Sequence, residues 1–152
     1  MIRIVCIGNR YVEADAAGPR VFDRLHARAI PAGVVVTDGG IAGLGLLGLL
    51  EGAARVVFVD ALAEDDPSQD VVRLSAEEVA ATARPAATHA AGLPYLLRIL
   101  PEVLDAAPPE IVIVGVPSFA DDAMLDRAVS AALDAVHVSL ERVPPIGAGE
   151  AS

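Results

Sequence analysis

The stretch RVVFVD, residues 55–60, decides the fold, because an uninterrupted apolar run here ends in an acid. An apolar run without alternation is typical of a strand that helices cover on both faces. Three further segments have the same character, and a weaker, alternating one is predicted to be an edge strand. The three are IRIVCI at 2–7, GVVVT at 33–37 and IVIVGV at 111–116, and the edge strand is DVVRL at 70–74.

Segments with helical periodicity separate these strands. Their apolar residues recur at three- and four-residue intervals, and polar residues occupy the opposite positions. The predicted helices are one from Ala17 with Val21, Leu25 and Ala29, one that starts at a Ser75–Glu78 capping box, one with Leu93, Leu96, Leu97 and Leu100, and one capped by Asp121 or Asp122 with Leu125, Val129, Leu133 and Val136.

Alternation of strands and helices predicts an α/β fold. We therefore expect a three-layer α/β/α single domain with a mostly parallel central sheet of about five strands. No repeat or linker divides the chain, so residues 1–142 are assigned to one domain. The remaining residues, 143–152, show no periodicity and are predicted to form a disordered tail.

Composition excludes several classes of function. The 152 residues carry a formal net charge of −10, and only 3% of them are aromatic. Binding to nucleic acid or to an anionic membrane is therefore not expected. No apolar run reaches the length of a membrane span and no signal peptide is recognised, so a cytoplasmic protein is expected. The single cysteine, Cys6, lies in the first apolar run and is expected to be a buried core residue.

A G-x-G-x-x-G pattern in the segment after residue 37 raises the alternative of a Rossmann-like nucleotide-binding protein. Gly43, Gly45 and Gly48 would contact phosphate, and Asp60 would contact ribose. The fingerprint needs its first glycine at the turn between strand and helix. Here the pattern falls inside Ile41–Leu50, which is apolar nearly all round and is predicted to be a buried helix whose glycines allow close contact with the sheet.

Gly39 and Gly40 occupy the predicted turn after the second strand instead. For this reason nucleotide binding remains the second choice. A phosphate-sized cavity at the N-terminus of the following helix would favour nucleotide binding. A helix N-terminus covered by side chains would argue against it.

Ligands of open α/β sheets bind outside the carboxyl ends of the strands, and three residues predicted to lie there are candidate site residues. Asp15 follows the first strand, Asp60 ends the third, and His89 precedes a later helix. Each alone has an ordinary structural explanation: Asp15 as a helix N-cap, Asp60 as a cap at a strand end, and His89 as a residue at a helix start. Together, two carboxylates and an imidazole at one edge are a ligand set for nickel or zinc.

The order of several motifs resembles the hydrogenase maturation endopeptidases, which trim the C-terminus of the large subunit of nickel–iron hydrogenases. The motifs are IGNRYVEADAAGPRV, then DGGIAG with LLG, then VVFVDA, then TH with LPYLL, and finally IVIVGV. They span residues 1–116, and the ordered set is more specific than any single motif.

The resemblance implies that Asp15, Asp60 and His89 contact a metal and serve catalysis. It implies a substrate, the hydrogenase large-subunit precursor, in which inserted nickel is recognised, while other divalent ions can substitute in the empty site. Supporting loop residues would be Gly8, Asn9, Asp38, Gly39 and Gly40. The oligomeric state stays open, with a monomer expected.

The chain departs from the family pattern in its first loop. Ala14 and Ala16 stand where the family has an acid and a glycine, Glu13 is an acid shifted by one position, and the loop after Pro117 is shorter. These departures bear on substrate choice and activity, and a degenerate homologue that binds its partner without cutting it is a third possibility. Without a recognisable Ser-His-Asp arrangement, attack by a metal-activated or carboxylate-assisted water is favoured over a covalent nucleophile.

Overall fold

The computed structural model of the chain describes residues 1–41, 43–62, 70–81 and 92–137. They form one five-stranded sheet with helices on both faces, as the sequence predicts. The strands are β1 (Ile2–Ile7), β2 (Val34–Gly40), β3 (Arg55–Ala61), β4 (Val72–Ser75) and β5 (Glu110–Val116); the helices are α1 (Ala17–His26), α2 (Leu47–Leu50), α3 (Ala76–Ala80), α4 (Gly92–Val103) and α5 (Asp122–Ala135), with 3-10 turns at Glu13–Asp15 and Leu44–Leu46.

The strands lie in the order β2-β1-β3-β5-β4. The first four are parallel to one another, whereas β4 pairs with β5 in the antiparallel direction at the edge. The weak alternating segment is thus the edge strand, although its ladder begins at Val72 rather than at Asp70. The order reverses direction between β1 and β3, and such a reversal opens a crevice at the carboxyl ends of the two strands.

Alternating residues of each strand divide the core into two halves. On the α1 face, Ile4, Val57 and Val114 pack with α1 and α5. On the α4 face, Val5 and Phe58 pack with α2, α3 and α4. The three core strands β1, β3 and β5 are therefore buried on both sides, and this accounts for their unbroken apolar sequences.

Helix caps also follow the sequence. The Ser75 hydroxyl accepts a hydrogen bond from the Glu78 backbone N–H at 3.1 Å, which starts α3. Asp121, rather than Asp122, caps α5 and accepts a hydrogen bond from the Met124 N–H at 2.9 Å. The residues at 93, 96, 97 and 100 are all buried on the sheet, as their spacing predicts. The first helix ends at His26, so Ala29 lies beyond it.

The prediction of one buried helix over Ile41–Leu50 is wrong. Among the described residues of this segment, only Leu47–Leu50 form α-helix, preceded by a single 3-10 turn, and Ile41 is 74% exposed. Three glycines in ten residues explain the interruption, because each costs an α-helix roughly 1 kcal/mol relative to alanine. Leu46 and Leu50 are nevertheless buried on the α4 face.

Cys6 is fully buried on the α1 face, as expected. In the part of the chain that the structure describes, no helix is long and apolar enough to cross a membrane. The proposed tail, 143–152, lies outside the described residues, and the assignment of residues 1–142 to one domain stays a prediction.

Close backbone packing predicts which glycines the fold requires. A Cβ on Gly18 would run into the carbonyl group of Ile7, whereas a Cβ on Gly48 would meet nothing within 4 Å. We expect Gly18→Ala to lower the free energy of unfolding by about 2 kcal/mol or more, because backbone atoms cannot move aside cheaply. Gly48→Ala is the control and should leave it unchanged or raise it by up to about 1 kcal/mol. Urea unfolding measures both, and equal losses in the two variants would contradict this packing.

Candidate active site

The loop after β1 and the end of β3 bring two acids to the crevice at the point where the strand order reverses. β1 and β3 are neighbours and parallel, so their carboxyl ends lie side by side. Asp15 lies in the 3-10 turn that follows β1, and this turn contacts β3. Asp60 is the penultimate residue of β3. Both residues are half-buried.

Hydrogen bonds fix the loop that carries Asp15. The Asn9 backbone N–H donates to Oδ2 of Asp15 at 2.7 Å, and the Tyr11 N–H donates to Oδ1 of Asn9 at 2.9 Å. The Gly8 N–H donates to the Gly40 carbonyl at 2.9 Å, which ties the loop to the end of β2. Gly8 has a φ of +149°, and a Cβ there would collide with the carbonyl of Asp15. The loop is therefore folded tightly back onto the end of the sheet.

Asp15 does not cap helix α1. The N-cap residue is Ala16, which has no side-chain capping bond, and the Asp15 carboxylate binds the Asn9 N–H instead. This removes the structural explanation that the sequence offered for Asp15. Its carboxylate is held in place by a hydrogen bond within its own loop, from the Asn9 N–H.

Burial raises the pKa of the Asp60 carboxyl to about 7, and the negative charge of Asp15 adds to the rise. A hydrogen bond from the Ala61 N–H to Oδ1 of Asp60, at 2.8 Å, opposes it. The turn that carries Asp15 contacts β3, which brings the charge of Asp15 close enough to act on Asp60. Asp60 caps no helix among the described elements, and its hydrogen bond with the Ala61 N–H is the local contact that a cap at the end of a strand would make.

Strand alternation places Asp60 on the α4 face, together with Val56 and Phe58. Helix α4 packs on that same face and begins at Gly92, three residues after His89 in the sequence. His89 itself lies outside the described residues, so its meeting with the two acids stays a prediction. Within the described ranges no group of three His, Cys, Asp or Glu side chains could hold a metal ion.

The end of β2 supports the loop but does not add a third acid. The sequence suggested that Gly39 and Gly40 form a turn after Thr37. They instead belong to strand β2. Asp38 pairs in register with Cys6, on the α1 face, which is the face opposite Asp60. Its Oδ1 accepts a hydrogen bond from the Gly40 N–H at 3.0 Å. Asp38 thus shapes the strand end and does not point to the side of Asp60.

Sequence reasoning missed Arg10, which braces the same loop. Its guanidinium donates two hydrogen bonds to the Asp23 carboxylate of α1, at 2.8 and 3.1 Å, and lies 3.9 Å from Asp38. The only signal in the sequence was a lone base in a loop that also carries the acids Glu13 and Asp15. Its effect is to link the loop, α1 and β2 on the solvent side.

The glycines of the G-x-G-x-x-G pattern do not form a phosphate site. Gly45 lies in the 3-10 turn and Gly48 in α2, four residues long, and no helix starts directly from the end of β2. A Cβ on Gly43, Gly45 or Gly48 would meet nothing within 4 Å, so the close contact with the sheet that was expected of them is also wrong. Gly39 makes that contact instead, against Val5 and Leu46.

Cys6 is an unsuitable nucleophile. It is fully buried on the face opposite Asp60, and burial raises the pKa of its thiol, with a smaller contribution from the charge of Asp38. A buried, protonated thiol is inert. Of the residues that depart from the family pattern, Glu13 is exposed and Ala16 is buried, so the shifted acid does not replace the missing one inside the crevice.

Comparison with known proteins points to one family. Residues 19–143 match the family model HycI, described as hydrogenase maturation protease. The hydrogenase maturating endopeptidase HybD from E. coli has a similar structure, with a TM-score of 0.72, 27% sequence identity, and coverage of 88% of this chain and 90% of HybD. A comparison with curated protein sequences found no match.

Two archaeal structures are also similar. The hydrogenase 2 maturation peptidase from Thaumarchaeota archaeon SCGC_AB-539-E09 is 28% identical, with a TM-score of 0.54 over 89% of this chain and 94% of that one. The [NiFe] hydrogenase maturation protease HycI from Thermococcus kodakarensis KOD1 is 22% identical, with a TM-score of 0.61 over 86% of each chain, and supports the fold alone.

The raised pKa of Asp60 predicts how stability depends on pH. Its folded-state pKa of about 7 exceeds the ordinary value of 3.8, so the folded chain binds more protons than the unfolded chain between these values. The free energy of unfolding therefore falls as the pH rises from about 4 to about 7. In Asp60→Asn this loss is absent, and we expect the variant to be more stable than the parent by on the order of 2–4 kcal/mol at about pH 8.

Urea unfolding in the presence of a metal chelator, repeated from about pH 4 to about pH 8, measures this difference. The gain should shrink toward acidic pH, where Asp60 is protonated in both states. A difference that does not change with pH, or a variant that is less stable at about pH 8, would show that Asp60 is not a desolvated carboxyl.

Proposed function

Since this chain belongs to the hydrogenase maturation protease family, we propose that it removes a C-terminal extension from a nickel-loaded hydrogenase large-subunit precursor. The observation that supports the proposal is the placement of Asp15 and Asp60 at the carboxyl ends of neighbouring strands where the strand order reverses, with burial and the charge of Asp15 raising the pKa of Asp60. A buried, ionised carboxyl beside a second negative charge lowers the stability of the folded protein. Carboxyl groups with perturbed pKa values of this kind cluster at functional sites.

Nickel in this proposal is part of the substrate, and Asp15, Asp60 and His89 contact it when the precursor docks. A divalent cation relieves the repulsion between the two acids and makes the ionised form of Asp60 favourable. Carboxylate oxygen and imidazole nitrogen are ligands that nickel accepts. The Asn9 N–H binds Oδ2 of Asp15 and holds the carboxylate in place, and we propose that Oδ1 is the oxygen that contacts the metal.

Peptide hydrolysis at this site uses water as the attacking group. The buried thiol of Cys6 is on the wrong face, and Ser75 is occupied at the N-cap of α3. The water oxygen bonds to the scissile carbonyl carbon, one water proton passes to a carboxylate, and the amine that leaves takes a proton as the C–N bond breaks. Asp60, ionised beside the cation, would offer a carboxylate oxygen that accepts and returns that proton, and the nickel of the substrate would polarise the scissile carbonyl.

A processing assay tests the proposal. The large-subunit precursor of the same organism, with and without inserted nickel, is incubated with the protein, and the mass of the precursor is measured. The loaded precursor should lose its C-terminal extension and the nickel-free precursor should not. Binding of the loaded precursor without any loss of mass would instead identify a degenerate homologue that does not cut.

Site variants in the same assay separate chemistry from scaffolding. Asp15→Asn, Asp60→Asn and His89→Ala should each fold and lose processing by at least about 100-fold, because each removes a ligand or the proton acceptor. Asp105→Asn changes an exposed acid in the loop before β5 and is the matched control, with processing unchanged. Full processing by folded Asp60→Asn and His89→Ala would rule out this site.

Metal binding to the free protein gives an independent test. Nickel, zinc or cadmium in excess should raise Tm, since a ligand that binds the native state stabilises it, and nicotinamide or flavin dinucleotides should not. The rise should be lost in Asp60→Asn and kept in Asp105→Asn. A dinucleotide-induced rise in Tm at micromolar concentration would favour the nucleotide-binding alternative.

A further inference from the structure

Four large hydrophobic side chains stand exposed around the two acids. They are Tyr11 at 92%, Val12 at 48%, Ile41 at 74% and Phe119 at 44% relative exposure, and we call them the apolar rim. All four lie in segments that leave the carboxyl ends of strands. Tyr11 and Val12 follow β1, Ile41 follows β2, and Phe119 follows β5. The rim is therefore on the same edge of the sheet as Asp15 and Asp60.

The rim brackets Asp60 within the sheet order. β3, which carries Asp60, lies between β1 and β5. Tyr11, Val12 and Ile41 thus stand on one side of it and Phe119 on the other. Three strand spacings separate β2 from β5, which is about 14 Å, or the length of four to five residues of extended chain. The apolar rim therefore flanks, along the sheet, the strand that carries Asp60.

The backbone beneath the rim is fixed. The Asn9 side chain accepts a hydrogen bond from the Tyr11 N–H, and the Asn9 carbonyl accepts one from the Val12 N–H at 3.1 Å. The Ala120 N–H donates to the Pro117 carbonyl at 3.1 Å, which closes the turn that displays Phe119. Large apolar side chains on preorganised turns lose little conformational entropy on binding, and aromatic residues are enriched among interface hot spots.

We propose that the apolar rim is the docking surface for the hydrogenase large-subunit precursor and sets the affinity of the protease for it. The inference rests on the proposed function, because an endopeptidase must contact its protein substrate around the reacting residues. A second copy of this chain is a poor occupant, since each copy carries a net charge of −10 and the two would repel one another.

Kinetics and binding with the nickel-loaded precursor test the rim. The variants are Tyr11→Ser, Ile41→Ser and Phe119→Ser, and none of these residues belongs to the proposed ligand set. Val103→Ser is the matched control, because Val103 is 43% exposed at the end of α4, away from the acids. We expect each rim variant to raise KM and Kd for the precursor by about 5- to 30-fold with kcat changed less than about twofold, and the control to change neither.

The outcomes separate this inference from the proposed function. If the protein binds the precursor without cutting it, the proposed function fails. The Kd values of the parent protein and the rim variants then still show whether the rim is the docking surface. If the parent protein cuts the precursor and the rim variants match it in KM and Kd, the rim is not the docking surface. Absence of any binding, or a concentration-dependent dimer that Tyr11→Ser dissociates in sedimentation, would also overturn the inference.

Discussion

The hydrogen bond from the Asn9 N–H to the Asp15 carboxylate is the constraint on which the crevice depends. It closes the loop after β1 into a compact turn and sets one acid beside the strand that carries the other. Gly8 permits this turn, because any side chain there would strike the carbonyl of Asp15.

The arrangement costs stability. Asp60 lies at the end of a buried strand, where ionisation is unfavourable, and Asp15 makes it less favourable still. Of the ion pairs in the described part of the chain, none involves either acid; the bases instead join scaffold elements, as Arg24 does between α1 and α5 and Arg55 does near the end of α5. Under the proposed function, the cationic nickel of the substrate would supply the positive charge that the described residues do not place beside these acids.

Much of the fold could be predicted from the sequence, because β1, β3 and β5 are buried on both faces and therefore carry unbroken apolar runs. The run GVVVT misled in one respect: β2 is an edge strand, and Val35 is 41% exposed. The family, inferred from the order of the motifs, is also confirmed, because residues 19–143 match the model of the hydrogenase maturation proteases. The prediction of one helix over Ile41–Leu50 failed, because it rested on the hydrophobicity of the segment. Its glycines do not favour a continuous helix. The roles of Gly39 and Arg10 depend on contacts between distant segments, with Val5 and with Asp23, and periodicity carries no information about those.

The central claim is that Asp15 and Asp60 meet the nickel of a docked precursor. X-ray absorption at the nickel edge, recorded on the loaded precursor alone and on its rapidly frozen complex with the protein, tests it most directly. The account predicts additional oxygen or nitrogen neighbours at about 2.0–2.2 Å in the complex, lost when Asp60→Asn replaces the parent protein. A nickel spectrum that is the same in the free precursor and in a complex competent for cleavage would contradict it.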